Sequence, residues 1–412
     1  MPKGNDQMRT YELITPEGTK DVLFDECLAR RDVEDRYRHI FSGMGYSEVI
    51  TPGIEFYDVF NDGSRKYSQE ALYKLTDAKG RLLTLRPDCT IPIARLVATR
   101  LRDASMPLRL FYVQTVYENN KLLKGKSDEI VQSGIELIGS EYKRADFEVM
   151  SIAVKALKEY DGTDFRLEIG DVGYFKELVS MLGVSDSVAE EIRYLIEAKN
   201  YPALNDLLDS IGDTPVTEAL KKLPALFGGV EVFDKAAKLA SNDKTREILD
   251  NLKAFYNSLQ KLDLGGRLSV DLGIVNRTDY YTGIVFKGYL SGVGEAVLQG
   301  GRYNRLLSEF GMNAPATGFA VNVNLVAALV RKLGLSPVQT APEAVVYGEH
   351  GYCIEAISYT MELAEKGIAA ENAVFDSFEE TAAAAKARGI KEIYVVSDTI
   401  KKLTYKDGEY RG

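Results

Sequence analysis

The sequence predicts an α+β protein in which an antiparallel sheet carries helices, is interrupted by a helical insertion, and is followed by a small C-terminal α/β domain. Three observations carry this. Residues 108–118 and 128–138, and again 280–287 and 295–299, are strand-like runs joined by polar or Gly-rich turns, as in antiparallel hairpins. From residue 174 to 262 strand character gives way to short helical patterns broken by Gly and Pro. After Pro342 the pattern alternates strand, helix, strand, helix, strand, the mark of a mainly parallel sheet.

With 412 residues, 45% of them apolar, the chain is long enough for two or three domains with real cores. No apolar run approaches the roughly 20 residues that span a bilayer, and the N-terminal MPKGNDQMRTYEL lacks a secretory apolar stretch. Cys27, Cys89 and Cys353 are too few and too scattered for a disulfide frame or a zinc site. The expectation is a cytoplasmic protein with no membrane association, no metal and no cofactor. A net charge of −10 argues against bulk affinity for nucleic acid, which needs an accessible basic surface. His39 and His350 are the only histidines, so imidazole acid–base chemistry is disfavoured.

In chain order, Thr15-Pro-Glu-Gly-Thr-Lys-Asp21 is a turn-rich entry. Leu28, Val33, Tyr37, Ile40, Phe41 and Met44 recur at helical spacing and Gly45 follows as a stop, so residues 25–44 form an amphipathic helix. Residues 46–51 read as a strand closed by Pro52. Residues 72–76 and 81–86 flank the turn Asp77-Ala-Lys-Gly80 as two short strands, and a helix at about 91–101 follows Leu85-Arg-Pro-Asp-Cys-Thr90. A helix runs from about 142 to 160 and strands lie near 165–169 and 267–272. Residues 302–310 make a short helix, and 316–329 pass from strand into helix. The C-terminal alternation comprises strands 344–347, 372–375 and 392–396 with helices 352–366 and 378–388. Lys401 and Lys402 are read as a solvated face.

The stretch 276–302 is the focus of the chain. Period-two alternation places Tyr280, Thr282, Ile284 and Phe286 on one side of its first strand and Tyr281, Gly283, Val285 and Lys287 on the other. It ends in Gly300-Gly301-Arg302, where two residues without side chains admit a ligand or another backbone and an Arg offers a forked donor, as in a pocket floor.

Residues 12 to 335 resemble the histidyl-tRNA synthetase family of class II aminoacyl-tRNA synthetase-like proteins, which includes the regulatory subunit of ATP phosphoribosyltransferase. The resemblance rests on DYYTGIVF, on GGRYNRLL, and on the helix, strand and proline of residues 25–52, similar to motif 1. It rests also on LRPDCT, similar to the family's LRPEGT, on residues 108–138, similar to motif 2, and on residues 316–329, similar to motif 3. It implies a catalytic-type domain over 1–173 and 263–335, a helical insertion over 174–262, and a small α/β domain over 336–412.

The resemblance also implies a site. Asp88 takes the place of the family's glutamate that, with the threonine matched by Thr90, holds the amino group of bound histidine. Both residues equally suit capping the helix that follows, and the two roles can coexist. Gln132, Glu136, Tyr280 and Tyr281 complete an expected histidine-binding set: an ammonium acceptor, amide and carboxylate partners for an imidazole, and flat aromatic walls. No catalytic residue is expected. The three arginines that the family places around ATP map to Glu118, Asn276 and Leu325. Arg277 is next to Asn276, but a slip of one residue on a strand points its side chain to the other face. Losing one such donor costs about 2–4 kcal/mol of transition-state stabilisation, and Glu118 adds charge reversal.

The resemblance therefore implies a non-catalytic regulatory subunit of ATP phosphoribosyltransferase. Its expected partner is the short-form catalytic subunit, its effector histidine, and its state a homodimer within a hetero-oligomer. A divergent histidyl-tRNA synthetase is the alternative, and a stand-alone histidine-binding protein a third reading. Against the synthetase, the segment from Leu335 onward carries 8 Lys/Arg and 13 Asp/Glu, a poor surface for RNA.

Overall fold

The computed structural model describes residues 11–62, 67–120, 127–239, 242–262, 264–275 and 280–412. The chain divides into two compact units, Met1–Pro337 and Val338–Gly412.

The first unit is built on a nine-stranded sheet. Its spatial order is Ser47–Glu48, Leu108–Tyr117, Glu129–Ile138, Ala316–Asn322, Leu298–Arg302, Ile284–Leu290, Phe165–Asp171, Leu268–Asp271 and Phe227–Gly228. Pairing is antiparallel except at Ser47–Glu48 with Leu108–Tyr117 and at Phe165–Asp171 with Leu268–Asp271. Alternation divides this sheet into two chemically distinct faces. Phe111, Ile135, Leu137, Leu167, Ile169, Phe286, Leu298, Phe319 and Val321 are buried in one core with the helices Phe24–Gly43 and Lys143–Leu157. The first helix contributes Val33, Tyr37, Ile40 and Phe41 of the stripe that its spacing predicts, together with Ala29, whereas Leu28 and Met44 are exposed.

The intervening residues form the opposite face. Cross-strand pairs there are Glu136 with Gly318, Gln132 with Asn322, Gln299 with Ala320, Lys287 with Gln299, and Glu168 with Lys287. Polar and small side chains line part of this face, and Leu110, Tyr112, Ile138 and Ala316 on the rest of it pack into a second hydrophobic core with Ile91, Ile93 and Val97. This is the surface on which a site can be built.

A separate antiparallel sheet of Ile54–Phe56, Leu82–Leu85 and Lys74–Thr76 precedes the helix Thr90–Arg100. The N-terminal turn docks on the long hairpin: the Asp128 amide donates to the Gly18 carbonyl at 2.7 Å. Gly18 has φ +80°, and a Cβ there would lie 2.4 Å from the Asp128 carboxyl carbon, so glycine is required.

The insertion comprises helices Val172–Leu182, Asp186–Glu197, Tyr201–Ile211, Pro215–Lys222, Glu231–Ala237 and Asp243–Leu259. Asp171, Ser185, Asn200, Thr214 and Asn242 cap five of them through their side chains. One departure is a two-residue strand at Phe227–Gly228, which pairs with Leu268–Asp271 inside the expected all-helical stretch.

The second unit has the strand order Ala370–Asn372, Ala344–Gly348, Glu392–Val396, Ile400–Lys406, Glu409–Arg411. Its first three strands are parallel, with helices Cys353–Glu365 and Phe378–Ala387 on opposite faces. The sequence reading stopped at residue 396, but a terminal hairpin extends the sheet. Lys402 lies on that hairpin and pairs with Glu392 at 2.6 Å.

Candidate functional site

A cavity of about 540 Å3 opens on the polar face of the large sheet. Asp88, Thr90, Gln132, Glu136, Tyr280 and Tyr281 all line it, and so do Glu118 and Leu325. Asn276 lies outside the described residues, as do Lys121, Lys124 and Lys126 beside motif 2.

Glu136 is the deepest group. It is 1% exposed and receives hydrogen bonds on both oxygens, from the Thr90 hydroxyl at 2.7 Å and from the Tyr303 phenol. Burial pushes its pKa up to about 8, against the two hydrogen bonds that favour the charged form. Its carboxylate lies against the facing backbone: a Cβ at Gly318 would come 2.0 Å from Oε2. Glycine at position 318 is therefore a condition of the site.

Asp88 sits in the loop before the helix Thr90–Arg100. One oxygen accepts the Ile91 amide at 3.0 Å, a helix cap, and the other accepts the Tyr67 phenol. Its pKa is raised by burial, which the Tyr67 bond opposes. The loop is held by Arg86, which is buried and donates to the Thr115 carbonyl at 2.6 Å, to the Thr51 carbonyl at 2.7 Å and to Gln114.

The aromatic wall differs from the expected one. Tyr280 and Tyr281 precede the strand, which begins at Ile284, so period-two alternation does not reach them. Their ring centroids are 4.7 Å apart and both rings line the cavity, with Tyr303 edge-on to Tyr280 at 5.7 Å. Arg302 departs too. It is 7% exposed, its Nε donates to Asp146 at 2.9 and 3.1 Å and its Nη1 to the Ser140 carbonyl at 2.9 Å, while Nη2 is buried without a hydrogen-bond partner among the described residues. Gly300 and Gly301 serve backbone approach: a Cβ would meet the Gly318 oxygen at 2.4 Å or the Ile284 oxygen at 2.7 Å.

The sequence reading missed Tyr67 and Tyr303. Tyr303 follows GGR directly in the stretch that carries the resemblance, so its position was a usable signal. Tyr67 reaches Asp88 across 21 residues of chain and leaves no such trace.

Electrostatically the cavity favours cations. Among the described lining residues are five acidic side chains, Glu26, Asp88, Glu118, Glu136 and Glu295, of which Glu136 holds its proton near neutral pH, and two cations, Lys20 and Arg30. Lys20 pairs with Glu26, and Arg30 with Glu34 at 3.1 Å. Leu325 packs against the core at the start of the helix Val323–Lys332 and offers no donor side chain. No group of three or more His, Cys, Asp or Glu among the described residues could hold a metal. No described helix is long and apolar enough to cross a membrane.

Residues 18–326 match the family model described as histidyl-tRNA synthetase. An ATP phosphoribosyltransferase regulatory subunit of Clostridium kluyveri is 41% identical over 387 residues, covering 93% of this chain and 99% of that protein. One from Clostridium acetobutylicum is 41% identical over 374 residues, covering 89% and 91%. A solved structure described as an ATP phosphoribosyltransferase regulatory subunit/histidyl-tRNA synthetase from Bacillus halodurans superposes with TM-score 0.81 at 29% identity, covering 96% of this chain and 99% of that one. Histidyl-tRNA synthetase from Nostoc sp. PCC 7120 shares the fold, with TM-score 0.73 at 20% identity over 97% and 96% of the two chains. With its class II sheet and these relatives along nearly its whole length, the chain belongs to the ATP phosphoribosyltransferase regulatory subunits of the histidyl-tRNA synthetase family.

Proposed function

We propose that this chain is a non-catalytic regulatory subunit that binds free histidine, activates a short-form ATP phosphoribosyltransferase catalytic subunit and carries histidine feedback inhibition. The reaction so controlled is the first step of histidine biosynthesis, in the cytoplasm. The relatives' names support the regulatory role. The acidic cavity is the observation that carries the rest: Asp88 suits an ammonium and Glu136 an imidazole, held between the rings of Tyr280, Tyr281 and Tyr303. A triphosphate would meet Glu118 and Leu325 where the family places arginines, so histidine activation and aminoacylation are absent.

Ile50, Ile54, Phe56 and Leu82 are exposed around the motif 1 region, Ile50 by 79%. That apolar area supports pairing of two chains there, within a larger assembly with catalytic subunits.

Two measurements on the purified chain test the reading. Histidine raises the melting temperature and leucine does not, because a ligand at a hundredfold excess over Kd adds about 2.7 kcal/mol. Histidine-dependent pyrophosphate–ATP exchange stays at background. Robust exchange would restore the synthetase reading, and a histidine titration unaltered by Glu136→Ala would remove the pocket assignment.

A further inference from the structure

A second cavity, of about 560 Å3, lies on the same polar face of the sheet, farther across it and beneath the helical insertion. Its floor carries Arg166, Glu168, Asp271, Lys287 and Tyr289, and Lys199 and Tyr201 stand at the junction of two insertion helices. Register sets the floor: Lys287 is opposite Glu168, and Tyr289 is opposite Arg166.

The acids here are already engaged. Asp164 is taken by Arg267 at 2.6 Å, Glu197 by Arg193 at 2.7 Å, and Asp271 accepts the Gly273 amide at 2.8 Å. Glu168 faces the Tyr289 phenol, and burial raises its pKa and that of Asp271. The cations act on these acids only at longer range: Lys287 and Arg166 oppose the rise at Glu168, and Lys287 and Lys199 oppose it at Asp271. No ion pair within 4 Å among the described residues takes Arg166, Lys199 or Lys287.

Lys199 adds an independent observation. It closes the helix Asp186–Glu197 with φ +53°, its amide on the Ile196 carbonyl at 3.0 Å. That left-handed position is ordinarily glycine, because a Cβ is disfavoured there. A lysine is held there, at the cavity's rim.

We propose that this cleft binds a small phosphate-bearing anion, gripped by Arg166, Lys199 and Lys287, with the Tyr201 phenol as a further donor. Three cations from two walls, one of them a guanidinium fork, suit a group with several acceptor oxygens and up to two charges. Pro224, Phe227 and Leu290 leave an apolar wall for the organic part of a phosphomonoester.

The test is calorimetric titration of the full chain with inorganic phosphate and with ribose 5-phosphate at constant ionic strength, histidine binding serving as the control. Saturable binding is expected, weakened about fivefold or more by Lys287→Gln and by Lys199→Gly, with histidine affinity unchanged. Tighter binding of ribose 5-phosphate assigns a phosphomonoester, and equal binding assigns the phosphate group alone. Lys199→Gly should melt no lower than the parent, since glycine relieves the left-handed backbone, so its loss of anion binding cannot be a folding defect. Absence of saturable binding by both anions, or binding unaltered in both variants, overturns the proposal, and intact histidine binding keeps that failure separate from the histidine reading.

Discussion

Glu136 is the residue on which the cavity depends, and its environment makes two predictions. A Cβ at Gly318 would lie 2.0 Å from its carboxylate and 2.3 Å from the Ile135 carbonyl, so the clash cannot be relieved by a side-chain rotation alone. Gly318→Ala should lower stability by about 1–3 kcal/mol and abolish the histidine-dependent rise in melting temperature. The second prediction concerns pH. Glu136 titrates at about 8 in the fold against 4.5 for an ordinary glutamate, so between those values the folded chain holds a proton that the unfolded chain has released. Its contribution is fully present below about 4.5 and is lost as pH rises through about 8. Melting temperature should fall less between pH 5 and 9 in Glu136→Gln than in the parent, and parallel profiles would refute the raised pKa. At this scale the sequence was informative where chemistry is carried by short contiguous motifs. Asp88, Thr90, Gln132, Glu136, Tyr280 and Tyr281 do line one cavity, whereas Tyr67 acts through a contact distant in sequence.

Among elements, the Leu298–Arg302 strand does two jobs through adjacent residues. Gly300 and Gly301 let neighbouring backbones close in, and Arg302 reaches through to Asp146 on the helix Lys143–Leu157. The pair is buried, and Asp146 has its pKa raised by burial against the pull of Arg302. Arg302→Met should therefore destabilise by about 3–5 kcal/mol, measured by urea unfolding, and adding Asp146→Leu should recover much of the loss. A ligand-binding role for Arg302 would instead weaken histidine binding without lowering stability. The misreading has a physical cause, since an Arg after two glycines looks the same in sequence whether its fork meets a ligand or an aspartate. The terminal hairpin carries a legible signal in its turn. Asp407-Gly408 has φ +48° and +92°, as a tight hairpin turn with two left-handed residues requires. Its strand IKKLTYK is too polar to stand out by apolar alternation.

For the whole molecule, helices and hairpins follow from local spacing, but the order of nine strands does not, because neighbours in the sheet such as Glu129–Ile138 and Ala316–Asn322 are far apart in sequence. The resemblance implied a class II-like antiparallel sheet but not its strand order. The same sheet positions the cavity in which histidine binding is proposed. One face is filled by the core, and the other carries the polar groups of the cavity, such as Gln132 and Glu136. A pocket of that kind controls a partner only through a difference in affinity between active and inactive assemblies, typically about 1–3 kcal/mol or 5–150-fold. The most direct test adds the full chain to an isolated short-form ATP phosphoribosyltransferase catalytic subunit and follows phosphoribosyl-ATP formation with and without histidine. The prediction is activation by this chain and inhibition by histidine that is lost in Glu136→Ala; unchanged activity, or histidine inhibition indifferent to that substitution, would contradict it.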